Sequence, residues 1–219
     1  FFRPYTPTIL KNHKLYPSPG NHDYSQSLSR QNDHNIPYYD IFTLPTAGQL
    51  GGVASTTEAF YSFDIGDIHF LSLDSYGREN NATRIYDTAG AQVQWIKSDL
   101  AANTKKWTVA YWHHPPYTKG SHNSDTDMEL VPIRENFLRI LERNGVDMII
   151  CGHSHNYERS YLLNGYYKAT PAGTSLSEVN FNINTHTASQ STGRYNGTAN
   201  SCPYVYQSGK YQHGTVYVV

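Results

Sequence analysis

Cysteine, charge and long apolar runs are all scarce in this sequence. It has 2 cysteines, and charged residues make up 16% of it, with 17 Lys and Arg against 18 Asp and Glu. No apolar run approaches the roughly 20 residues of a membrane-spanning helix, so we expect no membrane span. The formal net charge of −1 provides no broad basic surface, so we expect no nucleic-acid partner.

The two cysteines also argue against a structural zinc domain. Such a domain prefers closed, cysteine-rich ligation, and neither cysteine has a second one at metal-ligand spacing. Cys151 ends an apolar run and Cys202 lies in a polar stretch, so two free thiols and one disulfide both stay open. Residues 1–5 do not have the pattern of a signal peptide.

What is abundant is tyrosine and histidine, with 19 and 11 residues, in a chain that is 38% hydrophobic. This composition is globular, and 219 residues suit one domain. We predict a single domain with a core over 15–168, a loop-rich insertion at 170–214 and a final strand at 215–219. Gly, Ser, Thr and Asn dominate the insertion, which lacks clear periodicity.

Apolar periodicity predicts an α/β fold. Strands are expected at 15–19, 60–65, 68–73, 107–112, 146–151 and 215–219, and helices at 88–103 and about 131–144. Gly66 and Asp67 suit a hairpin turn, Thr88 is a plausible N-cap and Gly145 suits a helix C-terminus. The alternation of strand and helix from 68 to 151 is typical of α/β layers.

Three histidine-containing motifs follow predicted strands. They are Gly-Asn-His-Asp at 20–23, His-His-Pro-Pro at 113–116 and Gly-His-Ser-His at 152–155. Alone, the first is a good turn sequence, the second could be a half-buried pair, and the third is an even choice between site and coincidence. Because loops at the carboxyl ends of strands converge in open α/β sheets, the three together predict one shared site.

These motifs resemble the last three of five motifs in the calcineurin-like metallophosphoesterases. The wider stretches at 18–23, 111–117 and 151–159 are similar to purple acid phosphatases and their bacterial secreted relatives, and the resemblance runs from residue 1 to about 168. It implies a four-layer α/β/β/α metallophosphoesterase sandwich with mixed sheets, here with the first strands missing.

The resemblance also implies two metal ions. Asn21, His113 and His153 would bind one ion, and His155 would bind the other. Oxygen and imidazole ligands suit Fe, Zn or Mn, and the pair stays open. The role of His114 stays open as well.

Three further residues receive roles through the same resemblance. His22 would contact phosphate or protonate the leaving oxygen, and Asp23 would orient it. His122 would face the substrate, although a solvated loop histidine is nearly as good an interpretation.

The implied activity is hydrolysis of small-molecule phosphomonoesters through attack by a metal-bound hydroxide. A phosphodiesterase or nucleotidase shares these motifs and remains an alternative. A non-catalytic metal- or phosphate-binding module is a further alternative, which the retained His22 disfavours. The family branch and the Tyr- and Asn-rich surface predict a secreted or periplasmic protein.

The first two motifs of the family are missing. Asp67-Ile68-His69 has an Asp-x-His spacing, but it follows the Asn21 motif and lies in a hairpin, so we reject it. In the family, the missing motifs supply an aspartate that bridges the two metal ions. Asp74 is a weak candidate for that position. We therefore expect a chain that begins mid-domain, ends within a strand and is inactive alone, with the remaining ligands on a missing N-terminal segment or a partner chain.

Overall fold

The computed structural model describes residues 11–167, 181–189, 191, 193–194, 197, 204 and 213–219. Its strands are β1 (Tyr61–Ile65), β2 (Ile68–Ser72), β3 (Trp107–Tyr111), β4 (Met148–Ile150), β5 (Leu162–Leu163), β6 (Thr187–Ser189) and β7 (Val216–Val218). Its α-helices are α1 (Leu28–Asp33), α2 (Pro37–Ile41), α3 (Ala91–Ala102) and α4 (Leu138–Arg143), and a π-helical segment covers Ile133–Phe137.

The main sheet has the strand order β1-β2-β3-β4-β7. Strand β1 is antiparallel to β2, and the pairs β2–β3, β3–β4 and β4–β7 are parallel. Strands β5 and β6 form a separate antiparallel pair. The expected α/β class with a mixed sheet is confirmed, and the domain division stays a prediction.

The hairpin between β1 and β2 turns at Gly66 and Asp67, as predicted. Gly66 has φ 59°, in the left-handed region that glycine adopts without a Cβ clash. The strands on either side begin or end within one residue of their predicted bounds.

Helix α3 begins at Ala91, three residues after the predicted cap at Thr88. Residues 87–90 form a turn in which the Gly90 N–H donates to the Asp87 carbonyl, and Gly90 becomes the N-cap. The predicted apolar face is confirmed, because Val93, Ile96 and Leu100 are all buried.

The predicted helix over 131–144 divides into the π-helical segment and α4. The Leu138 N–H bonds to the Ile133 carbonyl, a five-residue spacing. This wider turn buries both Phe137 and Leu138 although they are consecutive. The chain leaves the helix through Gly145, at φ 74°.

The predicted strand at 15–19 is wrong. Residues 14–20 have no regular secondary structure, and Pro17 and Pro19 have no N–H to place in a strand ladder. Side-chain hydroxyls hold the segment to the sheet instead: the Tyr16 carbonyl accepts from Tyr111 at 2.9 Å, and the Pro17 carbonyl accepts from Tyr61 at 2.7 Å and Ser72 at 3.0 Å.

Hydrophobic clusters cover both faces of the main sheet. One joins the sheet to α3 and to the segment 133–143, and includes Leu71, Ala110, Ile149, Val93, Ile96, Phe137 and Leu141. The other packs the N-terminal segments on β1, and includes Tyr24, Ile36, Tyr38, Leu44, Tyr61 and Phe63. This packing fixes the loops at the carboxyl ends of β3 and β4, where the histidine motifs lie.

Two sequence features lie partly or wholly outside the described residues. Cys151 is a free thiol, and burial raises its pKa well above the ordinary value. Cys202 lies outside the described residues. The described part of the insertion contains β6. No helix among the described residues is long and apolar enough to cross a membrane.

Candidate metal centre

The loops after β3 and β4 bring His113 and His153 together. These strands are parallel neighbours, so both loops leave the same edge of the sheet. His113 Nε2 lies 3.2 Å from His153 Nδ1, and the ring centroids are 5.0 Å apart. The Gly152 N–H donates to the His113 carbonyl at 3.0 Å, which ties one loop to the other.

Asn21 joins this pair from the irregular N-terminal segment. It is 5% exposed, and its Oδ1 lies 2.9 Å from His113 Nε2. Gly20 allows the approach, because a Cβ at that position would lie 2.7 Å from His113 Nδ1. The structure therefore brings together Asn21, His113 and His153, as the motif spacing predicts.

His153 has an unusual backbone conformation, with φ 66° in the left-handed region. That region costs a residue with a Cβ about 1–2 kcal/mol. The conformation belongs to a tight turn in which the Ser154 N–H donates to the Gly152 carbonyl at 2.7 Å. A strained histidine at a strand end supports a functional role for its side chain.

His114 lies behind this group and is fully buried. Its Nδ1 is 2.8 Å from Ser75 Oγ, and its ring centroid is 4.4 Å from that of His153. Its Nε2 is 3.3 Å from Glu129 Oε2, which is ion-pair distance without hydrogen-bond alignment. The two neighbours in the pair thus differ: His113 faces Asn21, whereas His114 faces Ser75 and Glu129.

His122 lies against the other face of His153. Their rings stack with centroids 3.8 Å apart at an interplanar angle of 30°. Asp127 Oδ2 lies 3.2 Å from His122 Nδ1. The family resemblance predicts His122 at the site, whereas Asp127 and Glu129 were not predicted. The alternating Asp125, Asp127 and Glu129 ahead of a helix was the only signal for them in the sequence.

The remaining predicted site residues are exposed, at the rim of the histidine group. His155 is exposed, and its N–H donates to Ser121 Oγ at 2.9 Å. Among the described residues it belongs to neither group of three converging histidine or carboxylate side chains. His22 and Asp23 are exposed, and Asp23 Oδ2 accepts from the Gly20 N–H at 2.8 Å, which closes the turn that carries Asn21.

Burial and mutual repulsion keep the central imidazoles neutral. Burial, followed by repulsion from His114 and His153, lowers the pKa of His113 to about 3, and His22 contributes to the same effect. Burial, followed by His114 and His122, lowers the pKa of His153 to about 4. At neutral pH both rings therefore present a lone pair rather than a second proton.

The pKa values of Asp127 and Glu129 lie below the ordinary values of these side chains. Burial raises the pKa of Asp127, but hydrogen bonds from the Glu129 N–H and from His122 outweigh it and hold that pKa below its ordinary value. The neighbouring His114 imidazole, 3.3 Å away, lowers the pKa of Glu129. Both side chains therefore add negative charge beside the histidines.

The weaker acidic alternatives from the sequence have hydrogen-bond partners outside the histidine group. Asp74 is buried and accepts hydrogen bonds from the Tyr24 hydroxyl at 2.5 Å and from the Tyr76 and Gly77 N–H groups at 2.8 Å each. His69, of the rejected Asp-x-His match, is held between two other aspartates. Asp74 thus stabilises a buried turn.

Comparison with known proteins identifies one family, and relatives named as phosphatases agree with it. A profile of the calcineurin-like phosphoesterase family matches residues 2–157. Purple acid phosphatase 15 of Arabidopsis thaliana is 30% identical over 151 residues, which are 67% of this chain and 25% of that protein. Purple acid phosphatase 23 of the same plant is 32% identical over 132 residues, covering 59% of this chain and 26% of its own length.

A solved structure adds a looser match. The structure of purple acid phosphatase PPD1 from yellow lupin seeds covers 76% of this chain and 24% of that chain, at 16% identity and a TM-score of 0.46. The chain spans about a quarter of the length of the curated relatives it matches.

Proposed function

Because the chain belongs to the calcineurin-like phosphoesterase family, we propose that it supplies part of a dinuclear site that hydrolyses phosphomonoesters. The observation that carries this proposal is the convergence of Asn21, His113 and His153 at the carboxyl ends of β3 and β4. The names of the plant relatives, all purple acid phosphatases, support the choice of a phosphatase.

The converging atoms fit a metal ion. Two nitrogen ligands about 2.1 Å from one tetrahedral zinc lie about 3.4 Å apart. The distances from His113 Nε2 to Asn21 Oδ1 and to His153 Nδ1, 2.9 and 3.2 Å, are close to that spacing. One amide oxygen and two neutral imidazoles suit Fe, Zn or Mn. Bound ions would neutralise charge on the phosphoryl oxygens.

His155 is proposed as a ligand of the second ion. It projects from the same loop as His153, two residues further along, at the exposed rim. The other ligands of that ion are not among the described histidines. We propose that they lie on a segment of the protein beyond these residues or on a partner chain.

His22 and His122 are proposed to act on the substrate. His22 follows Asn21 on the same turn and is exposed, which suits a group that holds a proton for the leaving oxygen. Asp23 Oδ2 holds Gly20, and we propose that its second oxygen orients His22. His122 stacks on His153 and is open to one side, where it can contact a phosphoryl oxygen.

The same geometry supports inactivity of this chain alone. Asn21, His113, His153 and His155 are neutral ligands, so none of them offsets the charge of two divalent ions or bridges them. Asp74 accepts three hydrogen bonds from a buried tyrosine and a buried turn. A bridging carboxylate performs both tasks, and we propose that it comes from outside this set.

The test compares the chain alone with the chain joined to a segment that carries the first two motifs of the family. With added Zn²⁺, Mn²⁺ or Fe²⁺, we expect no multiple-turnover hydrolysis of an aryl phosphate by the chain alone. The extended protein should hydrolyse it, and His153→Ala should abolish that activity. Turnover by the chain alone would contradict the proposed need for outside ligands.

The choice between monoester and diester substrates needs a separate measurement. We expect the extended protein to favour an aryl phosphate over a bis-aryl phosphate, and the reverse preference would favour a phosphodiesterase. A protein that binds metal and phosphate but turns over neither compound would favour the non-catalytic binding module.

We also propose secretion or export to the periplasm, which fractionation of producing cells would test.

A further inference from the structure

The main sheet has one face that is only partly covered. Strands β2, β3, β4 and β7 run parallel, and parallel sheets are normally buried on both faces. One face packs against α3 and the segment 133–143. On the opposite face the N-terminal segments pack on β1, and the β5–β6 pair packs on β7 through Leu162, Ala188 and Val216. Strands β3 and β4 lie between these two packed regions.

A row of paired residues crosses this second face. Phe63, Phe70, Val109, Met148 and Val216 are successive partners in the strand register, so their side chains project from the same side of the sheet. Phe63 belongs to the N-terminal cluster and Val216 to the cluster under the β5–β6 pair. Val109 and Met148 belong to none of the hydrophobic clusters among the described residues.

Exposed apolar side chains extend this row along β3 and β4. Trp107 and Ile150 lie two residues from Val109 and Met148 on the same strands, and therefore on the same face. Trp107 is 48% exposed and Ile150 is 41% exposed. These four side chains form the floor of a groove, which we call the β3–β4 groove, between the N-terminal segments and the β5–β6 pair. Single exposed apolar side chains are ordinary, but a contiguous row of them is typical of an interface.

The β3–β4 groove leads to the histidine group. Strands β3 and β4 end at Tyr111 and Ile150, and His113 and His153 follow those ends. A segment that packs along the floor of the groove therefore extends to the edge of the sheet where the two histidines meet. Packing on this floor would place residues of that segment beside the proposed metal centre.

We infer that the β3–β4 groove is the docking surface for an apolar segment of the same protein, outside these 219 residues, that carries the remaining ligands of the dinuclear site. The role given to the segment rests on the proposed function, whereas the docking itself requires no hydrolysis. The matched regions make up 25% and 26% of the two plant relatives. A single polypeptide of that length has enough chain to cover the second face, which favours the same protein over a partner chain.

Trp107 provides a direct measurement of docking. The other two tryptophans, Trp95 and Trp112, are buried, so Trp107 is the one that a soluble quencher reaches. Acrylamide quenching is measured in the chain alone and in the extended protein, and the difference between each protein and its Trp107→Phe variant isolates this ring. In the extended protein we expect the quenching constant of Trp107 to be several-fold lower and its emission to shift to shorter wavelength.

A matched pair of lysine substitutions tests the floor of the groove. Ile150→Lys places a charge on the floor, and Ile41→Lys places the same charge on α2, where Ile41 is 64% exposed. In the extended protein Ile150→Lys should lower the urea midpoint by about 1 M or more, because the lysine would be buried without a partner. Ile41→Lys should leave the midpoint nearly unchanged, and in the chain alone both variants should unfold close to the parent. Failure of Ile150→Lys to fold in the extended protein only would be the extreme form of the same result.

Two kinds of result would overturn the inference. One is a folded extended protein in which Trp107 stays freely quenched, or in which Ile150→Lys and Ile41→Lys have equal midpoints. The other is a chain that protects Trp107 as a dimer in analytical ultracentrifugation, because a second copy would then occupy the groove. None of these readouts involves turnover, so a folded but inactive extended protein would contradict the proposed function alone.

Discussion

At the scale of single residues, His153 combines a strained backbone with the central place in the site. Its φ of 66° would suit glycine, yet its ring contacts His113, His114 and His122. In this conformation the ring lies against His113 and His114 of the β3 loop and against His122 of the loop at 118–127. We propose that the role of the ring in the site outweighs the cost of this conformation.

A pair of substitutions at this position should separate stability from metal binding. His153→Gly removes the Cβ penalty of the left-handed conformation, whereas His153→Ala retains it. We expect both variants to lose Zn²⁺ and the Gly variant to be about 1 kcal/mol more stable than the Ala variant. Urea unfolding with chelator present measures the difference. Equal unfolding free energies of the two variants would show that the left-handed conformation at position 153 carries no such cost.

A second residue-scale prediction concerns His22. As a proton donor at the exposed rim it should not hold the ion, so His22→Ala should retain most bound metal while His153→Ala loses it. Metal analysis of the two purified variants makes the comparison. In the extended protein His22→Ala should lower kcat more than it changes KM, and an equal metal loss in both variants would remove its proposed catalytic role.

At the scale of elements, a buried Asp–His–Asp chain joins β1, β2 and α3. His69 is 1% exposed, with Nδ1 at 2.7 Å from Asp64 Oδ1 and Nε2 at 2.6 Å from Asp99 Oδ2. Asp99 also accepts from the Val53 N–H and from Ser62, and Lys105 pairs with Asp64 at 3.5 Å. This chain of bonds fastens the hairpin to the helix at the end of the sheet away from the histidine cluster.

The chain of bonds predicts a pH-dependent stability. Burial lowers the pKa of His69, but hydrogen bonds to Asp99 and Asp64 outweigh burial and raise that pKa above its ordinary value. The stabilisation is therefore complete below about pH 6.5, the unfolded-state value, and is lost as the pH rises through the folded-state value.

Urea unfolding between pH 6 and pH 9 tests this expectation. The free energy of unfolding should decrease across that range in the parent chain. The decrease should be much smaller in His69→Gln, which retains a donor but cannot titrate. The same decrease in both proteins would show that another group carries the pH dependence.

Buried Arg134, in the π-helical segment, connects the helix to the loop that carries His122. It is 1% exposed and donates hydrogen bonds to the carbonyls of Ser124 and Pro116. Arg134→Met leaves those carbonyls without their donor, so we expect a loss of roughly 2–4 kcal/mol in unfolding free energy. Arg139→Met, on the exposed side one turn later, is the control and should cost less than about 1 kcal/mol.

The element predictions succeed and fail for identifiable reasons. Strands β1 to β4 and β7 fall within their predicted ranges, because short apolar runs bounded by turn residues leave a strong local pattern. The segment at 15–19 resembles a strand by its flanking residues, but its carbonyls pair with tyrosine and serine hydroxyls of distant strands. No local pattern contains that information.

At the scale of the whole molecule, the chain corresponds to about a quarter of its curated relatives and carries one side of the proposed dinuclear site. We predict one Zn²⁺ per chain for the 219 residues and two for the chain joined to a segment with the first two family motifs. Equilibrium dialysis followed by metal analysis measures both values. Two ions bound by the chain alone would show that its own carboxylates complete the second position.

The sequence by itself determined the α/β class, the family and the convergence of Asn21, His113 and His153. The α/β class and the family follow from the apolar strands and the motifs, and the meeting of His113 with His153 follows from the rule that parallel strands deliver their loops to one edge. Asn21 reaches them from a segment that is not a strand. Only the tertiary structure decided that His114 faces Ser75 and Glu129, that Asp74 accepts hydrogen bonds in a buried turn, and that Asp127 and Glu129 lie beside the histidines. Those outcomes depend on how non-periodic loops fold over the sheet edge, which is set by contacts between residues far apart in the chain.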